Sequence, residues 1–168
     1  PLFAGDNNGK TDIFIRDLQT GQVYWASQAY DGAAGNDWNT RAAISADGHY
    51  VTFVGDSTNL VPNDTNNARD VFLYSIDTQT ISRVSVTTTG GQVSGRSDSP
   101  AVSAGGRVVA FDSYASDVVP GDTNDYADIF TFTRDTYAQH LTAPVRGQVV
   151  GDLDFGNQSN DTLPFDSG

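Results

Sequence analysis

Apolar residues fall in short runs along this chain, and polar punctuation cuts each run. Val51-Thr52-Phe53-Val54, Val71-Phe72-Leu73-Tyr74 and Val108-Val109-Ala110-Phe111 are rich in β-branched and aromatic residues. Gly, Asp, Asn and Pro stand between the runs. No stretch sustains a 3.6-residue period, so the predicted elements are strands joined by turns.

The runs recur at a fixed spacing. Ala43-Ile44-Ser45-Ala46-Asp47-Gly48-His49-Tyr50-Val51-Thr52-Phe53 matches Ala101-Val102-Ser103-Ala104-Gly105-Gly106-Arg107-Val108-Val109-Ala110-Phe111 at a step of 58 residues. Each segment reads as strand, tight turn, strand, with Asp47-Gly48 and Gly105-Gly106 as two-residue turns able to take positive φ. Leu60-Val61-Pro62 and Val118-Val119-Pro120 then lead into an acidic loop. That loop recurs three times, starting at Asp6, Asp64 and Asp122, and feeds strands at 12–16, 70–74 and 128–132. A turn and a further strand follow at 22–26, 80–85 and, more weakly, 138–142.

Four short strands per repeat predict an all-β fold, a β-propeller-like repeat of four-stranded antiparallel blades. The phase leaves it an incomplete propeller of about three blades: repeats at about 1–53, 54–111 and 112–144, with a divergent tail at 145–168. The chain opens at Pro1, without Met, as expected of a processed or trimmed form. Three acidic loops accompany only two intact leading hairpins. Open sheet faces and edges are normally covered. The missing partners are therefore expected from other copies or from a longer parent, with the tail as a candidate inter-subunit strand.

Charge narrows the function classes. A formal charge of −12 over 168 residues lacks the basic footprint that nucleic acid requires. There is no Cys, so disulfides and thiolate metal sites are excluded. No run is long and apolar enough to insert in a membrane as a helix.

The acidic loop has the form D-x-N-x-x-x-D. Asp6, Asn8 and Asp12, then Asp64, Asn66 and Asp70, then Asp122, Asn124 and Asp128 offer hard oxygen ligands that suit Ca²⁺, up to three ions per chain. The loop is shorter than an EF-hand and lacks its terminal Glu. The alternative is that these Asp and Asn side chains form Asx-turns that cap backbone groups.

Phe14, Phe53, Phe72, Phe111 and Phe130 are expected in the core between blades. Trp25, Trp38, Tyr30 and Tyr50 have no repeated equivalents and either line a ligand surface or pack an interface. His49 and His140 are the only imidazoles, and neither has metal-ligand spacing or a nucleophile partner. There is no G-x-S-x-G elbow and no HExxH, so the chain is expected not to be an enzyme. Sequons place candidate glycosylation sites at Asn63, Asn157 and Asn160.

Ile44-Ser45-Ala46-Asp47-Gly48 with Tyr50-Val51-Thr52-Phe53, and Val119-Pro120-Gly121-Asp122-Thr123-Asn124 with Asp128-Ile129-Phe130, resemble TolB-type, WD-repeat-like bacterial β-propeller repeats. The resemblance covers residues 1 to about 142 and implies a secreted or cell-surface propeller. Such folds serve as binding platforms and as accessory domains of hydrolases. The chain departs from the family in blade number, in Gly105 where the other copy has Asp47, and in the tail.

Together these features set the expectation: an extracellular, non-catalytic, Ca²⁺-stabilised structural protein, secreted and bacterial. It would be a homo-oligomer or polymer, assembling into a ring or filament through incomplete blades. The alternatives are a Ca²⁺-dependent module for a glycan or protein ligand, or a fragment of a propeller attached to a secreted hydrolase.

Overall fold

The computed structural model describes residue 3 and residues 5–134. Nine strands and no helix occur among them: β1 (Phe14–Arg16), β2 (Val23–Trp25), β3 (Asn39–Ile44), β4 (Tyr50–Gly55), β5 (Asp70–Ser75), β6 (Thr80–Arg83), β7 (Ser97–Val102), β8 (Val108–Ser113) and β9 (Asp128–Thr133). They form three antiparallel sheets, in the orders β1-β2, β3-β4-β5-β6 and β7-β8-β9. The four-stranded sheet is a meander, which is the topology of a propeller blade. Its first three strands reappear as β7, β8 and β9, each displaced by 58 residues (97 − 39, 108 − 50, 128 − 70). β1 and β2 are the equivalents of β5 and β6. The tail at 145–168 and the weak strand at 138–142 lie outside the described residues.

The sheets pack face on face. β4 and most of β5 are buried at successive positions, because a blade inside the stack has its neighbours on both faces. One core cluster unites Ile13 and Ala26 of the first sheet region with Val51, Phe53, Leu60 and Phe72 of the second. The other joins Val54, Val71, Leu73 and Val84 to Val109, Phe111, Phe130 and Phe132 of the third.

Cross-strand register sets the aromatic pairs. Phe53 lies opposite Phe72 with centroids 5.6 Å apart, and Phe111 opposite Phe130 at 6.0 Å. All four rings are buried, as the alternation predicts. Phe14 differs: it is half-buried, and β1 pairs only with β2 among the described residues. Phe3, from the preceding loop, stacks on it at 5.6 Å and 8°, so a loop residue covers this ring where a facing strand covers the others.

Gly105 (φ 78°) and Gly106 (φ 63°) both take the expected positive φ, whereas the β3–β4 turn and the length of both turns depart from the expectation. Asp47 has no positive φ, and Gly48 alone takes 77° in the β3–β4 turn. The Gly48 amide donates to Ser45 and the Ser45 amide to Tyr50, so four residues, not two, lie between the closing pair. The β7–β8 turn repeats both bonds at Ser103, Gly106 and Val108. A longer loop with glycine in the left-handed region twists the hairpin as the blade requires. The first strand of each of these sheets also carries a matching irregularity: Arg41 (φ 56°) in β3 and Ser99 (φ 51°) in β7 each mark a register shift.

Candidate functional site

The repeated acidic loops are built chiefly by hydrogen bonds within the protein. In all three, the loop Asn accepts from a backbone amide two residues on: Lys10 to Asn8 Oδ1 (2.8 Å), Ala68 to Asn66 Oδ1 (2.9 Å) and Tyr126 to Asn124 Oδ1 (3.1 Å). These are Asx-turns. In the first two loops the Asn Nδ2 also reaches 27 residues along the chain, donating to the Gly35 carbonyl (2.6 Å) or the Val93 carbonyl (2.8 Å). The Asn is thus a clasp between a loop and the segment that begins the next blade.

The last Asp of the loop makes a second clasp. Ser27 Oγ donates to Asp12 Oδ1 (2.5 Å) and accepts from the Ile13 amide (2.9 Å). Ser85 Oγ does the same between Asp70 Oδ1 (2.6 Å) and the Val71 amide (3.1 Å). Ser27 and Ser85 are 58 residues apart, so the repeat period itself marks this clasp. The third repeat has Ala143 at that position, outside the described residues.

Asn8 and Asn66 therefore spend both polar ends of their side chains, which leaves the carboxylates of these two loops as the candidate cation ligands. Asp12 Oδ2 lies 3.5 Å from Asn8 Nδ2, whereas the first residue, Asp6, is half-buried. In the second loop Asp64 Oδ2 and Asp70 Oδ2 are buried without a hydrogen-bond partner, and so is Asp122 Oδ1 in the third. No group of three or more His, Cys, Asp or Glu able to hold a metal occurs among the described residues. The donor set fits a hard cation only in part: carboxylate oxygens are free where the amide oxygens are not.

The second loop also faces a residue, on β6, that the repeat pattern does not foretell. Arg83 Nη1 lies 3.6 Å from both Asp64 Oδ1 and Asp70 Oδ2, with side chains 11%, 1% and 0% exposed. Gln92 Nε2 donates to Asp64 Oδ1 (2.7 Å). Burial pushes the Asp70 carboxyl up to about 6, against the opposing pull of Ser85 and Arg83. Burial also raises Asp64, with Gln92 and Arg83 opposing.

A contrasting cluster joins the second and third sheets. Asp98, on β7 and 3% exposed, accepts from Arg41 (2.6 Å), Arg69 (3.1 Å) and Arg96 (3.1 Å). Arg69 also makes a two-pronged bond to Asp56, with both distances 2.9 Å. Burial alone would raise Asp98, but the Ser99 amide and the arginines hold it below the usual carboxylate range.

Trp25 is buried, 7% exposed, and packs between Phe3 and Phe14, while also lining a groove between the first two sheets. Trp38 is exposed, with Lys10 Nζ 5.3 Å from its ring centroid. Tyr50 is half-buried, with the Arg134 guanidinium 3.9 Å from its ring. His49 pairs with Asp77 on the surface (2.8 Å), a contact that raises its pKa. Asn63 is exposed in the second loop region; Asn157, Asn160 and His140 lie outside the described residues.

A groove of about 390 Å³ runs between the first two sheets. Tyr24, Tyr30 and Tyr74 line it with Gln22, Gln28 and Gln79, and no charged side chain contributes among the described residues.

No family model matches the chain, and no curated protein matches it. The crystal structure of TolB from Acinetobacter baumannii is similar at a TM-score of 0.38 and 20% identity, over 67% of this chain and 26% of TolB. The chain thus spans about a quarter of that protein's length, and a likeness at this level carries no functional argument.

Proposed function

We propose that this chain is an extracellular, non-catalytic structural protein that assembles with other copies through its incomplete blades. The observation that carries this reading is the edge of β1. Its equivalents β5 and β9 each pair with a preceding strand, β4 or β8, whereas β1 has one partner among the described residues. On β1 the Ile13 carbonyl and the Asp17 amide bond towards β2. By the alternation of an antiparallel ladder, the amides and carbonyls of Phe14 and Arg16 then face the other way. An added strand would satisfy them, and the candidate is segment 145–168 of a neighbouring copy, which lies outside the described residues. Such a head-to-tail contact gives a ring if it closes and a filament if it does not.

Sedimentation and negative-stain imaging of the whole chain test this, with rings or filaments as the expected outcome. Arg16→Pro removes an outward amide without touching the β2 ladder and should dissolve the assembly while the fold persists. A stable monomer at micromolar concentration overturns the reading. Calcium belongs to it through the loop carboxylates, among which Asp122 Oδ1 of the third loop is buried without a hydrogen-bond partner, and an ion bound only to the folded form should raise the melting temperature. An unchanged melting temperature on adding chelator removes calcium from the account.

The groove favours a second reading, a binding module for a neutral glycan. Tyrosine faces and amide ends offer stacking and hydrogen bonds to an uncharged polyhydroxyl ligand in an otherwise acidic chain. Trp25 lines the same groove. A glycan array with and without chelator, repeated with Tyr30→Ala, distinguishes the two readings.

A further inference from the structure

We propose that Arg83 is the built-in cation of the second acidic loop, so that Asp64 and Asp70 hold a guanidinium in place of a metal ion. The inference deepens the cation reading of the loops, and it separates one loop from the others.

Position 83 is where the repeats differ. Its equivalents at a step of 58 are Trp25 and Leu141, so one repeat in three places a charge there. Trp25 turns its ring into the stack with Phe3 and Phe14, and its Nε1 donates to Ser27 Oγ (3.2 Å). Arg83, on the last strand of a complete blade, brings Nη1 to 3.6 Å from one oxygen of each acid. All three side chains are nearly or fully buried.

Two buried carboxylates with no cation would repel each other at close range. A guanidinium is a suitable internal counterion, because it does not deprotonate and spreads its charge over a planar fork. With it the trio carries −1; without it, −2, the charge that suits a divalent ion. A Ca²⁺ entering beside Arg83 would meet a like charge in a site with little water to screen it. The loop amide cannot compensate, since Asn66 is committed at both ends. Gln92 occupies one of the Asp64 oxygens as well.

Calcium titration by calorimetry tests the proposal on the full chain. In the wild-type background Asp64→Asn should leave the number of bound Ca²⁺ unchanged. Arg83→Leu should gain one Ca²⁺ and melt several degrees higher in Ca²⁺ than in chelator. Arg83→Leu with Asp64→Asn should lose that gain, with Ca²⁺ affinity down roughly tenfold or more. A wild-type stoichiometry that falls by one on Asp64→Asn overturns the proposal, as does a folded Arg83→Leu that gains no ion. If Arg83→Leu does not fold in chelator, recovery of the fold by Ca²⁺ supports the proposal. If it does not fold in either buffer, the Asp64→Asn stoichiometry decides. A wild type that binds no calcium at all removes the ion from the other two loops, and Arg83→Leu then decides this one alone.

Discussion

Asp98 and Asp70 are both buried, both face arginine, and sit in opposite electrostatic states. Asp98 receives three guanidinium contacts of 2.6 to 3.1 Å and is held below the usual carboxylate range despite its burial. Asp70 meets one guanidinium at 3.6 Å, and burial lifts its carboxyl to about 6. The presence of arginine does not account for the difference. Asp70 lies deeper, so the loss of water weighs more on it, and close, directed donors at Asp98 outweigh that loss where the single contact at Asp70 does not. Exposure adds to this. Arg41 and Arg96 are each more than half exposed and keep water around their own charge, whereas Arg83 is 11% exposed.

Removing the well-bonded acid should have the largest effect. Asp98→Ala leaves Arg69 half-paired at the junction of two sheets and should cost about 3–5 kcal/mol in urea unfolding. A loss below about 1 kcal/mol would make the two sites energetically alike and end the contrast.

The next effect is in pH. The Asp70 carboxyl stands near 6 in the folded chain and near 3.8 otherwise, so the folded form holds its proton more tightly. The stabilising term is full below about 3.8, shrinks as pH rises, and is gone above about 6. In chelator the swing should be roughly 3 kcal/mol in favour of the acid end, and Asp70→Asn should flatten it. Asp98 runs the other way: its contribution is present above the ordinary carboxylate range and lost as pH falls through its lowered value. Urea titrations at about pH 4 and pH 7 separate the two.

A smaller change is expected when the under-bonded trio is neutralised together. Asp64→Asn, Asp70→Asn and Arg83→Met combined should leave stability within about 1 kcal/mol of wild type, or raise it, since loose buried ion pairs are often replaceable by apolar groups. The smallest effect belongs to the surface. Asp77→Asn breaks the exposed His49 pair and should leave the melting temperature unchanged within error.

Much of the fold was legible along the chain. The 58-residue step places β3, β4 and β5 on β7, β8 and β9 residue for residue. The phenylalanine positions of the two fuller sheets follow strand alternation into the core. The hairpin turns were legible only in kind: dipeptides such as Asp47-Gly48 signal a turn, but the length of the loop depends on the register its strands adopt. The three loops follow the 58-residue period, with an Asx-turn at Asn8, Asn66 and Asn124. Their Asn members, however, accept from amides two residues on, a role that composition could not separate from metal ligation.

What the sequence determined by itself is periodic and local: strand order within a repeat, the aromatic face, and the recurring Asx-turn. These follow from spacing, because side chains alternate along a strand and each Asn bonds its own neighbourhood. Tertiary structure alone decided what stands opposite the acids. Arg83 comes to Asp64 and Asp70 from a strand further along its own blade. Arg41, Arg69 and Arg96 converge on Asp98 at the meeting of the second and third sheets. Charge pairing depends on distance and burial between segments far apart in the chain, and a repeat period carries information on neither.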